Sequence, residues 1–199
     1  MAKTIQFYFH RDSEYQFHGF TVDTKFNSVQ PFCGHEVFNF ETLEVTHPPE
    51  KFHVFVAIGP AKMNRLRAQK VREVRDKGYQ LATYISPLSA VNSPVGSNCF
   101  VGDMAVIGPF VNVGDNNIIY DSVVVSSDAT IGDNCYLGPQ SYIGTFCMLQ
   151  NNSFLGTAAT IKSSVNIGEQ SFIGAKSYIS KNTEPKSVFG VRQSECLGP

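Results

Sequence analysis

Residues 95–184 decide the fold, and in blocks of six they read VGSNCF, VGDMAV, IGPFVN, VGDNNI, IYDSVV, VSSDAT, IGDNCY, LGPQSY, IGTFCM, LQNNSF, LGTAAT, IKSSVN, IGEQSF, IGAKSY and ISKNTE. Every block opens on Val, Ile or Leu, ten of the fifteen continue with Gly, and the fifth residue is always compact. A strict period of six fits neither an α-helix nor a simple amphipathic strand. It predicts short strands joined by tight corners, with three blocks forming one triangular coil.

This pattern resembles the hexapeptide-repeat proteins, whose fold is a left-handed parallel β-helix. The resemblance covers residues 95–184 and implies a prism of about five coils. At the usual spacing of stacked strands, the prism would be roughly 24 Å tall. The aliphatic and the compact residues of each block are expected to fill its interior, and glycine relaxes the backbone at the corners.

The first half of the chain has a different pattern. Residues 17–23, 53–59 and 80–86 predict strands, and residues 61–77 predict a helix that Gly78 can end. One face of that helix carries Met63, Leu66, Val71 and Val74. A strand, a helix and a strand in succession favour a parallel α/β unit. The predicted organisation is a truncated, Rossmann-like α/β domain over residues 1–86, the β-helix over residues 87–184 and a C-terminal tail over residues 185–199.

Composition limits the function classes. A chain of 199 residues with a net charge of −1 is too balanced for an electrostatic nucleic-acid binder. No apolar run reaches the ~18 residues of a membrane span, and the N-terminus lacks the apolar stretch of a signal peptide. A cytoplasmic protein without nucleic-acid or membrane partners is therefore expected. The seven basic residues of 62–77 allow a surface for an acidic partner, but Glu73 and Asp76 among them favour an ordinary solvated helix face.

Cysteine and histidine constrain the chemistry. The five cysteines form no CxxC pair and no zinc-site spacing, so we expect free, buried thiols and no metal. Cys99 and Cys135 fall on one face two coils apart, too far for a disulfide. All five histidines lie in the first 53 residues, so the prism contains no imidazole.

The order of the two halves is similar to that of bacterial sugar acyltransferases of the sialic-acid O-acetyltransferase and bacillosamine N-acetyltransferase type. The resemblance rests on the stretches His10-Arg11-Asp12-Ser13-Glu14-Tyr15, Phe20-Thr21-Val22-Asp23, Phe55-Val56-Ala57-Ile58-Gly59, Met63-Asn64, Thr183-Glu184-Pro185 and Val188-Phe189-Gly190-Val191. It implies an N-terminal domain that holds a nucleotide-linked sugar and a prism that forms a homotrimer. It also implies acetyl-CoA in the groove between neighbouring prisms.

The chain departs from that family at its start. Such proteins open with a strand and a Gly-rich turn near the nucleotide phosphates, whereas Met1–Tyr15 resembles the helix that follows that turn. In a doubly wound sheet the first strand is central. A truncated chain, a misassigned start and a lost nucleotide site would each explain this, and we favour a degraded or absent nucleotide site.

The second departure concerns the catalytic histidine, which the family places two residues after an aliphatic. The matching block is Val125–Thr130, where Ser127 replaces the histidine and Asp128 follows it. Asp128, Ser127 and, one block earlier, Asp121 are the candidate catalytic residues. The alternatives are a corner aspartate bonded to its own turn and an ordinary turn serine.

Binding of acetyl-CoA is expected at the C-terminal coils. The resemblance implies backbone N–H groups as donors to the oxyanion, and the small residues of two corners favour close approach of the cofactor. Lys176 and the neighbouring basic residues suit its phosphates, although ordinary solvation would also explain them. The candidate cofactor-binding residues are Gly156, Thr157, Ala158, Gly174, Ala175 and Lys176.

The predicted function is acetyl-CoA-dependent acyl transfer to a sugar in surface-polysaccharide biosynthesis. The acceptor is expected to be an amino group of a nucleotide-linked sugar, because a neutral amine needs a general base less than a hydroxyl does. The alternative is a catalytically inactive trimeric scaffold or regulatory homologue.

Overall fold

The computed structural model describes residues 1–27 and 30–190. Its C-terminal half is a triangular prism whose three faces are parallel sheets, and the predicted left-handed parallel β-helix is confirmed. The first face consists of Tyr84–Ile85, Phe100–Val101, Ile118–Ile119, Tyr136–Leu137, Phe154–Leu155, Phe172–Ile173 and Val188–Phe189. The second consists of Ala90–Val91, Val106–Ile107, Val124–Val125, Tyr142–Ile143, Thr160–Ile161 and Tyr178–Ile179. The third consists of Asn112–Val113, Thr130–Ile131, Met148–Leu149 and Asn166–Ile167.

The pairing register explains where the prism extends beyond the sequence repeat. Inside the prism each strand pairs with the one eighteen residues on, as in Ile119 with Leu137. At its two ends the register shortens to sixteen residues, from Ile85 to Val101 and from Ile173 to Phe189. The shortened coils break the period of six. The strands within residues 84–91 and at 188–189 therefore belong to the prism although they lie outside the fifteen predicted blocks.

The prism interior is filled as the pattern predicts. The aliphatic first residues and the compact fifth residues form one buried cluster through the described coils. Cys99, Cys135 and Cys147 are free and buried there, whereas Cys33 in the first half is exposed, contrary to the expectation of buried thiols. Burial raises the pKa of the Cys99 and Cys135 thiols to about 12, so both remain protonated core residues. Cys196 lies outside the described residues.

The described residues of the N-terminal half, 1–27 and 30–83, form three α-helices and four short strands. The helices are α1 (Ala2–Asp12), α2 (Leu43–Thr46) and α3 (Arg65–Asp76), and the strands are β1 (Phe20–Val22), β2 (Val37–Asn39), β3 (His53–Val54) and β4 (Gln80–Leu81). Single 3₁₀ turns span Thr24–Phe26 and Phe40–Thr42. The unit β3–α3–β4 is parallel, as predicted, and Gly78 follows α3 at φ +84°.

The four strands do not form one sheet. β1 pairs with β2 and β3 pairs with β4, and among the described residues no strand joins the two pairs. The predicted strand over 80–86 is divided, because Tyr84–Ile85 already pairs within the prism. In α3 the buried positions are Arg67, Ala68, Val71 and Val74, so the assignment of Leu66 to the buried face is wrong.

The N-terminal half docks on the first face of the prism. Ile5, Tyr8 and Phe9 of α1 pack with Tyr84, Phe100 and Ile118 in one buried cluster. We call the edges of the prism corner 1, between the third and first faces, corner 2, between the first and second faces, and corner 3, between the second and third faces. Corner 3 lies opposite the docked face. No described helix has the length and apolar character needed to cross a membrane.

Candidate functional site

The corners repeat one backbone conformation. The fourth residue of each block from 95 to 178 is left-handed, with φ between +52° at Asn98 and +62° at Ser164. Glycine, asparagine and aspartate tolerate this region best. The same backbone therefore carries different side chains at the three corners, and these side chains determine what each corner can bind.

Corner 3 holds Ser127 and Asp128. Asp128 is exposed at φ +58°, and its carboxylate makes no hydrogen bond or ion pair with any described residue. The interpretation of Asp128 as an aspartate bonded to its own turn therefore does not fit the structure. Ser127 is half-buried, its hydroxyl also has no partner among the described residues, and its carbonyl accepts a 3.3 Å bond from the amide of Phe146.

Asp121 lies elsewhere, at corner 2. The Tyr8 hydroxyl donates to its two carboxylate oxygens at 3.0 and 3.1 Å, and the amide of Asp103 donates to one of them at 2.9 Å. Burial, and then the bond to Asp121, raise the pKa of Tyr8 to about 12. The structure thus places Asp121 in the contact between α1 and the prism and does not bring it together with Ser127 and Asp128.

The six candidate cofactor residues stack in two successive coils at corner 2. A Cβ on Gly156 would lie 2.5 Å from the amide nitrogen of Ala175, so only glycine fits there. Thr157 and Ala175 are exposed, and their N–H groups meet no acceptor within the described residues. By contrast, the equivalent N–H of Asp103 bonds to Asp121. This end of corner 2 therefore offers two backbone donors to an external oxygen atom.

Basic side chains follow in the same coils. Lys176, at φ +60°, is exposed, as are Lys162, Lys181 and Lys186, and none forms an ion pair with a described residue. Arg192 and Val191, which also entered the sequence analysis, lie outside the described residues. Lys176 lies at corner 2, whereas Lys162 and Lys181 follow strands of the second face and lie at corner 3. The donors of corner 2 and the cation of Lys176 provide the chemistry that the phosphates and the thioester of a CoA ester require.

Within one chain, the two parts of the candidate site are apart. Ser127 and Asp128 lie at corner 3, and Gly156 to Lys176 lie at corner 2, on the opposite edge of the second face. No described group of three or more His, Cys, Asp and Glu side chains could hold a metal ion. A site that uses both parts therefore needs two copies of the chain.

The comparisons with known proteins agree on the repeat. The model described as "Bacterial transferase hexapeptide (six repeats)" matches residues 110–145, and the one described as "Hexapeptide repeat of succinyl-transferase" matches residues 149–181. The chain is a hexapeptide-repeat protein. No curated protein sequence matches it.

Among solved structures, this hexapeptide-repeat protein is similar to a mutant of perosamine N-acetyltransferase from Caulobacter crescentus in complex with CoA and GDP-perosamine. The two are 28% identical with a TM-score of 0.76, over 85% of this chain and 80% of that one. The acetyltransferase domain of PglB from Neisseria gonorrhoeae, in complex with acetyl coenzyme A, is 22% identical with a TM-score of 0.75, over 83% and 80% of the two chains. WeeI from Acinetobacter baumannii AYE is 18% identical with a TM-score of 0.78, over 94% and 88%. The last two similarities show the fold alone.

Sequence reasoning missed the role of the basic helix α3 in this hexapeptide-repeat protein. Arg67 is fully buried, and burial lowers the pKa of its guanidinium to about 10. Its guanidinium donates to six oxygens at 3.0 to 3.3 Å, on Asn116 (two), Asn134, Cys135, Ile58 and Asn64. Lys70, Arg75 and Lys77 pair with Asp23, Asp115 and Glu44. Lys62, Arg65, Arg72 and Arg75 are exposed, as an ordinary solvated helix face requires, whereas the buried Arg67 does not fit that interpretation.

Asn116 and Asn134, which accept from Arg67, belong to a ladder of asparagines along corner 1. The side-chain amide of Asn98 donates to Asn116, and that of Asn116 donates to Asn134, each at 2.7 Å. Asn64, immediately before α3, donates to the carbonyl of Ser153 at 3.2 Å. The repetition of Asn at eighteen-residue intervals was the available signal for this docking surface.

Proposed function

We propose that the chain is an acetyl-CoA-dependent N-acetyltransferase that acts on the amino group of a nucleotide-linked sugar in surface-polysaccharide biosynthesis. The observation that carries the proposal is the similarity, over 85% of the chain, to an N-acetyltransferase whose structure contains CoA and GDP-perosamine. The unpartnered carboxylate of Asp128 and the free N–H groups of Thr157 and Ala175 support it, since they supply a proton acceptor and oxyanion donors.

The residues present fit acetyl-CoA. Thr157, Ala175 and Lys176 are exposed at this corner, Gly156 and Gly174 add no side chain to it, and Lys176 supplies positive charge for phosphates. When bound there, acetyl-CoA supplies a thioester-activated acetyl group. The N–H groups of Thr157 and Ala175 stabilise the negative charge that develops on the carbonyl oxygen.

Asp128 receives the proton that the reaction releases. The neutral amine of the sugar is the nucleophile, and its nitrogen becomes acidic as it bonds to the acetyl carbon. The thioester C–S bond breaks, and CoA leaves as a thiolate that takes up a proton from solvent to give the free thiol. The carboxylate of Asp128 takes the proton of the amine nitrogen, and Ser127 beside it is in position to bond the sugar. A sugar hydroxyl would need its proton removed much earlier, by a stronger base than the prism contains, because none of the five histidines lies there.

Assembly as a homotrimer completes the site in this proposal. Corners 2 and 3 of one chain lie on opposite edges of the second face, so a neighbouring prism must bring its own corner to Asp128. The second face carries no charged outward residue along its described strands, which suits burial against another prism. Its outward residues are Ala90, Val106, Val124, Tyr142, Thr160 and Tyr178. The cytoplasm, where acetyl-CoA and nucleotide sugars are available, is the proposed location.

Turnover and cofactor binding test the proposal together. Calorimetric titration with acetyl-CoA is expected to show about one site per chain, and GDP-perosamine and other nucleotide-linked amino sugars are then screened as acceptors by release of free thiol. With the best acceptor, Asp128→Asn is expected to lower kcat about 100-fold, because the proton acceptor is lost. Lys176→Ala is expected to raise the Kd of acetyl-CoA.

The matched control is Asp133→Asn at corner 1, where an amide oxygen can still cap the amide of Asp115. It is expected to keep full activity. If a folded trimer neither binds millimolar acetyl-CoA nor acetylates any acceptor, the catalytically inactive scaffold replaces the enzyme. Normal kcat in Asp128→Asn would remove Asp128 from the mechanism.

A further inference from the structure

Corner 3 carries two phenylalanines in a conformation that disfavours them. Phe110 and Phe146 occupy the left-handed position at φ +61° and +58°, where a bulky L-residue is strained. Their side chains gain little burial in return, since 81% of Phe110 and 63% of Phe146 are exposed. The equivalent position at corner 1 is Asn in four coils and Gln in the fifth. Strain that the chain itself does not repay indicates a ligand or partner.

The two phenylalanines flank the candidate proton acceptor. Asp128 occupies the same corner position one coil after Phe110 and one coil before Phe146, as the eighteen-residue register requires. Stacked coils are about 4.8 Å apart, so the backbones of Phe110 and Phe146 lie about 10 Å from each other with Asp128 between them. An exposed carboxylate thus stands between two exposed aromatic rings.

This combination selects a particular ligand chemistry. Aromatic rings attract cations and pack against apolar surfaces, and a carboxylate pairs with an ammonium group. No Lys or Arg occurs from Gly78 to Ile161, so no cation of the neighbouring coils competes for Asp128. A sugar presents an apolar C–H face and, as an amino sugar, a nitrogen that becomes cationic as it bonds to carbon.

We infer that Phe110 and Phe146 are positioning residues that hold the acceptor amino sugar against Asp128. This inference rests on the proposed function and deepens it, since it assigns the acceptor, and not the cofactor, to corner 3. The rings bind the sugar whether or not transfer occurs, so they contribute to KM more than to kcat. Asp128 contributes chiefly to kcat.

The experiment replaces the rings without straining the backbone. Phe110→Asn and Phe146→Asn place at corner 3 the residue that corner 1 already uses, so folding is retained. With the acceptor that supports turnover, each variant is expected to raise KM of the sugar nucleotide several-fold and the double variant at least 10-fold. The Kd of acetyl-CoA is expected to stay unchanged, and Phe146→Tyr to keep the native KM.

The matched control is Met104→Asn, at the same left-handed position of corner 2, with 65% of the methionine exposed. It is expected to leave KM unchanged. An unchanged acceptor KM in the double variant overturns the inference while the proposed function stands. A change in sedimentation coefficient, with loss of the trimer, would also overturn it and assign the rings to a subunit contact. Absence of turnover by the native chain with every acceptor removes the proposed function and this inference together.

Discussion

Corners 1 and 3 of the prism have the same backbone conformation, but their side chains make different contacts. At corner 1 the left-handed positions are mostly asparagines, their amides bond to one another, and Arg67 and Asn64 from the N-terminal half complete the network. At corner 3 the same positions carry Phe110, Asp128, Phe146 and Ser164, which are exposed and bond to nothing in the described chain through their side chains. The difference shows that one edge is built to hold the protein together and the other faces outward.

Removal of Arg67 is expected to have the largest effect on the contacts of corner 1. Arg67→Met removes a donor from four oxygens of corner 1 and leaves the carbonyls of Asn116 and Asn134 with no donor among the described residues, so we expect the N-terminal half to lose about 3 kcal/mol of stability. Hydrogen exchange measures the loss as faster exchange in α3 and β3, with prism amides unchanged. Arg72→Met, on the exposed side of the same helix, is expected to stay within about 0.5 kcal/mol of the native chain. Equal exchange in both variants would contradict the role assigned to Arg67.

Interruption of the asparagine ladder tests the same corner from the prism side. Asn116→Ala removes the acceptor of Asn98 and of Arg67 and the donor to Asn134, and we expect a loss of about 2 kcal/mol in urea unfolding. Ser122→Ala at corner 2 has the same left-handed backbone but breaks no side-chain bond. Ser122→Ala therefore measures the effect of the substitution on the backbone alone. We expect it to lower the free energy of unfolding by well under half as much as Asn116→Ala does. Similar losses in the two variants would mean that the ladder adds nothing beyond conformation.

Relief of strain at corner 3 is the smallest effect and has the opposite sign. Phe110→Asn exchanges a strained aromatic residue for one that tolerates φ +61°, so we expect a gain of about 1 kcal/mol in the free energy of unfolding. The urea midpoint of the isolated chain measures it, with Met104→Asn as a second site of the same kind. Destabilisation would show that the Phe110 ring packs on its own chain. In that case corner 3, like corner 1, would use its side chains to stabilise the protein.

The sequence was sufficient for the prism because its pattern is local and repeated. Each aliphatic residue faces inward wherever the period of six holds, and the prediction stops at Val95 only because Val91 precedes it by four residues. The positions of Ser127 and Asp128 at one corner follow from the same spacing. The left-handed position also recurs every eighteen residues, so the pairing of Phe110 and Phe146 around Asp128 could have been found from it.

Contacts between the two halves could not be predicted. Asp121 meets Tyr8 across 113 residues, and no local pattern encodes that approach. Arg67 is one of seven basic residues in its segment, and its burial depends on carbonyl groups of a ladder that exists only in the folded prism. That Asp128 has no bonding partner among the described residues also could not be predicted, because it depends on which surfaces the folded chain leaves uncovered.

The triangular register also restricts how such a chain can change length during evolution. Insertion of six residues before Asp128 would keep every aliphatic residue pointing inward, yet it would rotate all later blocks by one third of a turn and carry Asp128 to another edge. Only a change of eighteen residues restores every residue to its own edge, because eighteen is the interval between paired strands. The core therefore tolerates insertions in steps of six, while an arrangement of side chains along one edge survives only insertions of a whole coil.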